Sequence, residues 1–202
     1  MMNITDPYFD QIYNKKLLRK LEKRFGPIRQ HHFDLAISSG EMINLMDKMN
    51  RKSRRGEVIM VIPNIEGQIW LHTKAFYPQG VYRLMTGGLE PGEKPHLAFQ
   101  REAEEETGLK TKIDRCLAVI TYLLQGQNKR QPFVSYVFKT IPTTGSPRPI
   151  DPYEAITGFK AVPASALGDV AQKLGSLPGN WADWGIFRAV AHDVVQQQLK
   201  SD

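Results

Sequence analysis

Hydrophobic positions recur with a helical period near both ends of the chain and in short strand-like runs between them. Tyr8, Ile12, Leu17, Leu18, Leu21 and Phe25 share one side of an amphipathic helix over 8–25, stopped by Gly26 and Pro27. Met42, Leu45, Met46 and Met49 predict a second helix, beginning after Ser38 or Ser39. From Glu57 the pattern changes. Val58–Ile62 and Gln68–Ala75 are strand-like runs on either side of Pro63-Asn64-Ile65-Glu66-Gly67, which reads as a hairpin turn. Tyr82–Met85 is a short strand, Leu117–Leu124 and Phe133–Phe138 form a pair connected through Gly126–Arg130, and Ile156–Val162 is a last strand. Pro95–Thr107 reads as a helix stopped by Gly108. Pro163–Leu174 and Trp181–Leu199 are helical in character, and Trp184, Phe187, Ala191, Val194, Val195 and Leu199 form a core-facing stripe. Residues 1–56 therefore read as a basic, mostly helical N-terminal appendage, and 57–202 as the principal domain. The order of elements gives a mixed sheet with helices on its faces, an α/β or α+β layer arrangement.

Composition narrows the class. With 202 residues and 41% apolar side chains, the chain can build one substantial core. Its single cysteine, Cys116, excludes an internal disulfide framework and a thiolate-only metal cage. No run approaches the ~18 to 20 apolar residues of a membrane span, and the first residues do not read as a secretory signal. A cytoplasmic protein without a membrane partner is expected. The net charge of +6 is unevenly placed: residues 1–56 hold 12 basic and 6 acidic groups, whereas 87–109 hold 2 and 6. The basic ground suits nucleic acid, a small polyanion or an ordinary solvated surface.

The acidic island carries the chemistry. At about 100° per residue, Glu102, Glu105 and Glu106 fall on one side of their helix. Like charges four apart, Glu102 and Glu106, cost a few tenths of a kcal/mol when exposed, and a divalent cation would neutralise them. Oxygen-only ligation suits Mg²⁺, with Mn²⁺ as substitute. Without the loop before it, the same helix reads as a solvated acidic face. Arg101, four residues before Glu105, can brace it. Phe99 and Ala103 flank the acids and anchor the helix on the sheet. Gly87 and Gly88 let the backbone approach a ligand or adopt positive φ, and Pro91-Gly92 bends the loop so that Glu93 returns toward the helix.

Gly87, five residues, Glu93, seven residues, then Arg101-Glu102-Ala103-Glu104-Glu105-Glu106-Thr107-Gly108-Leu109 resembles the complete 23-residue signature of the Nudix hydrolase family. The surrounding order of elements is similar to that family over roughly 57–202. The resemblance implies a Nudix-like α/β/α sandwich with a mixed sheet, and hydrolysis of a nucleoside diphosphate linked to another group. It also implies that Glu105 and Glu106 hold a divalent metal, with Glu102 a further ligand or the water-activating base. Gly87 would offer its carbonyl, and Glu93 would support the loop through Arg101. The expectation is a Mg²⁺-dependent pyrophosphohydrolase acting on a small nucleotide or nucleoside diphosphate derivative, and, as relatives often are, a homodimer. Thr86 departs from the family, which most often has proline before the paired glycines; this weakens loop rigidity but leaves every acid in place.

Outside the signature, no Asp or Glu occurs between Asp114 and Asp151. Glu154 stands where some members keep a further catalytic acid, with Asp151 the weaker candidate. Arg83 reads as a phosphate-facing residue or a plain edge-strand arginine, and Gly88 as a backbone contact to substrate. His31 and His32 are adjacent and so face apart on a strand, which argues against a zinc pair. Markers of substrate are missing: Leu124 replaces the proline of ADP-ribose-cleaving relatives, the coenzyme A signature is absent from Val58–Met85, and Tyr122 reads as a packed strand aromatic. Two alternatives stay open. One is a regulatory module that uses residues 1–56 to hold nucleic acid or a partner. The other is an RNA 5′-end pyrophosphohydrolase using Arg51, Lys52, Arg54 and Arg55. The intact carboxylates argue against lost catalysis, and the lack of a clear aromatic and basic interleaving weighs against the RNA enzyme.

Overall fold

A computed structural model describes residues 10, 13–38, 40–126 and 129–200. Helix α1 (Lys15–Phe25) starts where the Asn14 side chain accepts the Leu17 N–H at 2.9 Å, and it ends at Gly26, whose φ of 81° lets its N–H bond Glu22 O. Leu21 and Phe25 are buried, as the stripe predicts; Tyr8 and Ile12 lie outside the described residues. Strand β1 (Arg29–Ala36) follows, a segment to which the hydrophobic pattern assigns no element. Helix α2 (Gly40–Arg51) buries Met42, Met46 and Met49, while Ser39 lies outside the described residues.

The remaining elements are β2 (Gly56–Val61), β3 (Ile69–Lys74), β4 (Arg83–Gly88), α3 (Pro95–Thr107), β5 (Ile113–Gly126), β6 (Lys129–Thr140), β7 (Ile156–Val162), α4 (Leu167–Gly175) and α5 (Ala182–Lys200). They build one seven-stranded mixed sheet in the order β1-β5-β6-β2-β4-β3-β7. β1 runs parallel to β5 and β2 parallel to β6, and the other neighbours are antiparallel. The expected β2–β3 hairpin exists only at its mouth, where Trp70 N–H bonds Ile62 O; beyond that, β4 lies between the two strands. Six consecutive buried residues make β2 a central strand, covered on both faces.

Side-chain alternation divides the core. Val58, Met60 and Met85 pack with α1 and α3 through Leu21, Phe25, Phe99 and Ala103. Ile59, Val61 and Leu84 pack on the other face with α2, α4 and α5 through Met46, Leu167, Phe187 and Val195. The result is an α/β/α sandwich with a mixed sheet. Gly87 and Gly88 are the last residues of β4, opposite Val58 and Glu57 of β2, and neither has positive φ. The turn itself is made by Gly92, at φ 78°.

Candidate active site

Helix α3 ends at Gly108, whose left-handed φ of 62° lets its N–H bond Glu104 O. Ala98, Phe99 and Ala103 are buried against the sheet, which orients the acids along the adjoining flank. Glu106 is fully buried, Glu102 nearly so, Glu105 half-buried, and Glu104 faces solvent.

Two protein cations stand among these acids. Arg101 Nη1 donates to Glu102 Oε1 at 2.8 Å and to Glu105 Oε2 at 3.2 Å. Its Nη2 donates to Gly88 O at 3.0 Å and Glu93 Oε2 at 2.9 Å, and its Nε to Glu93 Oε1 at 3.1 Å. One guanidinium thereby ties the glycine strand end, the loop carboxylate and the acidic helix together. Lys74, the last residue of β3, donates from Nζ to Glu106 Oε1 at 3.1 Å and to Glu154 Oε2 at 2.5 Å. Glu154 closes a short 3-10 turn, Pro152–Glu154, so the structure brings this acid to the acidic helix. Asp151 caps that turn, accepting the Tyr153 N–H at 2.8 Å.

Burial and pairing set the protonation of the group. Burial pushes the Glu106 carboxyl up to about 7, against the opposing pull of Lys74 and Arg83. Burial also raises Glu102, although Arg101 counteracts it. For Glu154 burial acts upward most strongly of any one cause, but the Lys74 hydrogen bond and charge, with Glu106 and Lys48, together hold the carboxyl below its ordinary value. His72 Nδ1 lies 3.6 Å from Glu106 Oε2, and burial, reinforced by Arg83 and Lys74, drives the ring well below the usual histidine range. It is a neutral packing residue beside the acids.

Glu102 and Glu154 line a cleft of about 370 Å³, and Glu105 and Glu106 lie outside that lining. Its walls carry Lys48 and Lys52 from α2 and the turn after it, Arg54, Arg83, Gly87, Gly88, Glu102 and Glu154, with aromatic surface from Phe76, Tyr77, Trp181 and Trp184. Arg83 is not an edge-strand residue, because β4 lies between β2 and β3. It is buried, donating to Tyr77 Oη at 2.8 Å, Leu84 O at 2.6 Å and Thr86 Oγ1 at 3.0 Å. At the cleft floor Arg188 of α5 donates to both oxygens of Glu57, at 2.9 and 2.8 Å. A second hollow, between α1 and the start of α3, is lined by Leu17, Leu21, Lys16, Lys20, Arg24 and Lys94 among others, and its lining contains no carboxylate.

The donor set fits a hard divalent cation. It consists of carboxylate oxygens, one of which, Glu106 Oε2, is buried without a hydrogen-bond partner. With Arg101 and Lys74 interposed, no three His, Cys, Asp or Glu side chains among the described residues meet closely enough to share an ion. Sequence reasoning missed Lys74, His72, Glu57 and Arg188. A signal was present for the first two: Trp70, His72 and Lys74 alternate onto one face of β3, so two polar residues point into a covered layer.

The NUDIX domain family matches residues 53–184. No curated protein matches the chain. Among solved structures, a MutT protein from Methanosarcina mazei Go1 is similar at 17% identity and a TM-score of 0.49, over 72% of this chain and 93% of that one. The E. coli dihydroneopterin triphosphate pyrophosphohydrolase is similar at 15% identity and 0.49, over 74% and 97%. A MutT NUDIX hydrolase from Burkholderia pseudomallei is similar at 21% identity and 0.47, over 72% and 97%.

Proposed function

Because the chain belongs to the NUDIX domain family and is a hydrolase of that type, we propose that it is a Mg²⁺-dependent pyrophosphohydrolase. It cleaves the diphosphate linkage of a nucleotide or nucleoside diphosphate derivative by attack of water at phosphorus. One observation carries this reading: the carboxylates of Glu102, Glu105, Glu106 and Glu154 are gathered by Arg101 and Lys74, and two of them, Glu102 and Glu154, line a cleft with basic and aromatic walls.

Glu102, Glu105 and Glu106, with the Gly87 carbonyl, are the groups that would hold the metal. When bound it supplies positive charge against the diphosphate and acidifies water. The chain's own residues do the rest. Arg101 orients Glu102 and Glu105 and ties them to Gly88 O and Glu93. Glu154, kept ionised by Lys74, is the acid suited to take a proton from the attacking water. Arg83, braced by Tyr77 and Thr86, places a fixed positive charge at the cleft wall, where the leaving phosphate gains charge. Phe76, largely exposed, and Tyr77 offer a ring surface for a base.

The test is turnover of a panel of ADP-ribose, nucleoside triphosphates, sugar nucleotides and dinucleoside polyphosphates, each with and without Mg²⁺. Metal-dependent release of phosphate-containing products is expected, and Glu105→Gln should lose about a hundredfold or more in kcat, the loss of ~3 kcal/mol of transition-state stabilisation. Tight ligand binding with no metal-dependent turnover would overturn the enzyme reading in favour of a binding module.

A further inference from the structure

The cleft has one wall that the family match, starting at residue 53, barely reaches. Helix α2 supplies it, with Lys48 on its last turn, Lys52 just beyond, and then Arg54. Burial of Met42, Met46 and Met49 seats the helix on the core, and Ser38, just before it, is held by hydrogen bonds from its N–H and Oγ to the Asp183 carboxylate of α5. Seated in this way, α2 presents Lys48 and, four residues on, Lys52 to the cleft. Arg54 then turns back over the end of β4. Its guanidinium lies where a side chain on residue 88 would have to start, for an ideal Cβ there would fall 1.8 Å from Arg54 Cζ. Arg101 bonds the Gly88 carbonyl, so two guanidinium groups converge on one glycine.

The other cations of the cleft are committed. Lys74 is bonded to Glu106 and Glu154, Arg188 to Glu57, and Arg83 to Tyr77, Leu84 and Thr86. Lys48 acts on Glu154, and Arg54 on Glu93, only through space. Lys52 also has no carboxylate partner among the described residues, so none of the three is paired in that way. Three uncommitted positive charges thus run along one wall, which also carries Glu41 from the first turn of α2, and end on the glycine beside the metal-ligand acids. The two remaining bases of that sequence run do not join them. Arg55 bonds Asn50 and, like Arg51, is not part of the cleft lining.

We infer that α2 and the turn after it form a phosphate subsite, Lys48, Lys52 and Arg54, for a phosphate lying beyond the diphosphate that is cleaved. The preferred substrate therefore carries a chain of at least three phosphates. This rests on the hydrolase reading of the same cleft. A triphosphate is borne both by a free nucleotide and by an RNA 5′ end, and the cationic wall recognises the phosphate chain in either.

Wild type, Lys48→Gln, Arg54→Gln and Arg54→Lys are compared on a nucleoside triphosphate, on a short 5′-triphosphorylated RNA and on the two-phosphate ester ADP-ribose, with Mg²⁺. For Lys48→Gln and Arg54→Gln, KM for the triphosphates should rise about tenfold more than KM for ADP-ribose, and Arg54→Lys should recover part of the difference. Which triphosphate the wild type prefers identifies the source. Calorimetry with inorganic tripolyphosphate and pyrophosphate gives a readout free of turnover: tripolyphosphate should bind more tightly, with a steeper salt dependence, and lose that advantage in both Gln variants. Lys48 is exposed, so its variant is expected to fold whatever the fate of Arg54. Equal KM effects on all substrates, or no tripolyphosphate preference in the wild type, would overturn the subsite. Tripolyphosphate preference in a wild type that hydrolyses nothing would overturn the hydrolase reading alone.

Discussion

An ideal Cβ on Gly87 would fall 1.9 Å from Glu102 Cγ, 2.2 Å from Cδ and 2.3 Å from Cβ. The Glu102 side chain therefore occupies the space that any larger residue at 87 would take. Because Glu102 sits on a helix anchored by Ala98, Phe99 and Ala103, its Cβ cannot retreat without moving α3. Gly87→Ala should strain the fold by about 1–3 kcal/mol, seen as a lower Tm. It should also cost at least about tenfold in kcat, because Glu102 loses its register with Arg101. An unchanged kcat would show that Glu102 does not need this seat. The need for glycine here was legible from the signature spacing, but its reason was not: the sequence allows positive φ or close approach, and only the second applies. The acids of α3 and the reach of Arg101 to Glu105 could be read from helical periodicity. Lys74 shows in sequence only as a polar residue on a covered strand face and Arg54 only as one base in a run, since what each one meets is set by a segment far away in the chain.

Among the elements, α3 and the C-terminal helices were readable because each carries its own periodic stripe. β1 was not. Its pattern is half-exposed and polar, with Phe33 and Leu35 as its largest apolar residues, and its partner β5 lies some 90 positions further on. The glycine-rich end of β4 likewise reads as loop by composition, yet pairing with β2 makes it strand. α2 deserves its own test, because its placement on the cleft depends on a connection that no local pattern reveals. Asp183, at the start of α5, accepts hydrogen bonds from the Ser38 N–H and Oγ. Asp183→Ala would remove both hydrogen bonds to a carboxylate and should destabilise the protein by about 1–3 kcal/mol, read from the urea midpoint. With α2 less firmly seated, KM should rise more than kcat falls. A variant with unchanged stability would show that Met42, Met46 and Met49 alone hold the helix.

Across the whole molecule, no helix among the described residues is long and apolar enough to cross a membrane. The charge asymmetry seen in sequence resolves into an acidic flank of α3 and a cleft wall, from α2 and the turn after it, that carries Lys48, Lys52 and Arg54 against the single acid Glu41. The α3 side rests on β2 and β4, the α2 side is held through α5, and the attachment of α5 to β4 carries a pH signature. The His192 ring joins α5 to β4: its Nε2 accepts the Leu84 N–H at 2.9 Å, so Nδ1, 2.9 Å from Arg188 O, must be the donor. That tautomer uses both nitrogens of a neutral ring, and burial, aided by Arg83 and Arg188, lowers its pKa to about 3. The unfolded chain takes up this proton near pH 6.5, whereas the folded one refuses it until about pH 3. Stability contributed by His192 is therefore fully present above pH 6.5 and is lost progressively as the pH falls toward 3, to a limit on the order of 5 kcal/mol. Glu93 and Glu154, depressed by Arg101 and Lys74, add a loss of the same sign at lower pH. The comparison with His192→Gln isolates the histidine. That variant should be less stable at pH 7.5, since Gln cannot span both partners, but its urea midpoint should fall less steeply between pH 6.5 and 4.5, a window above the ordinary carboxylate range. Parallel slopes for the two proteins would mean that His192 accepts a proton in the folded state, and that α5 stays joined to β4 by other contacts.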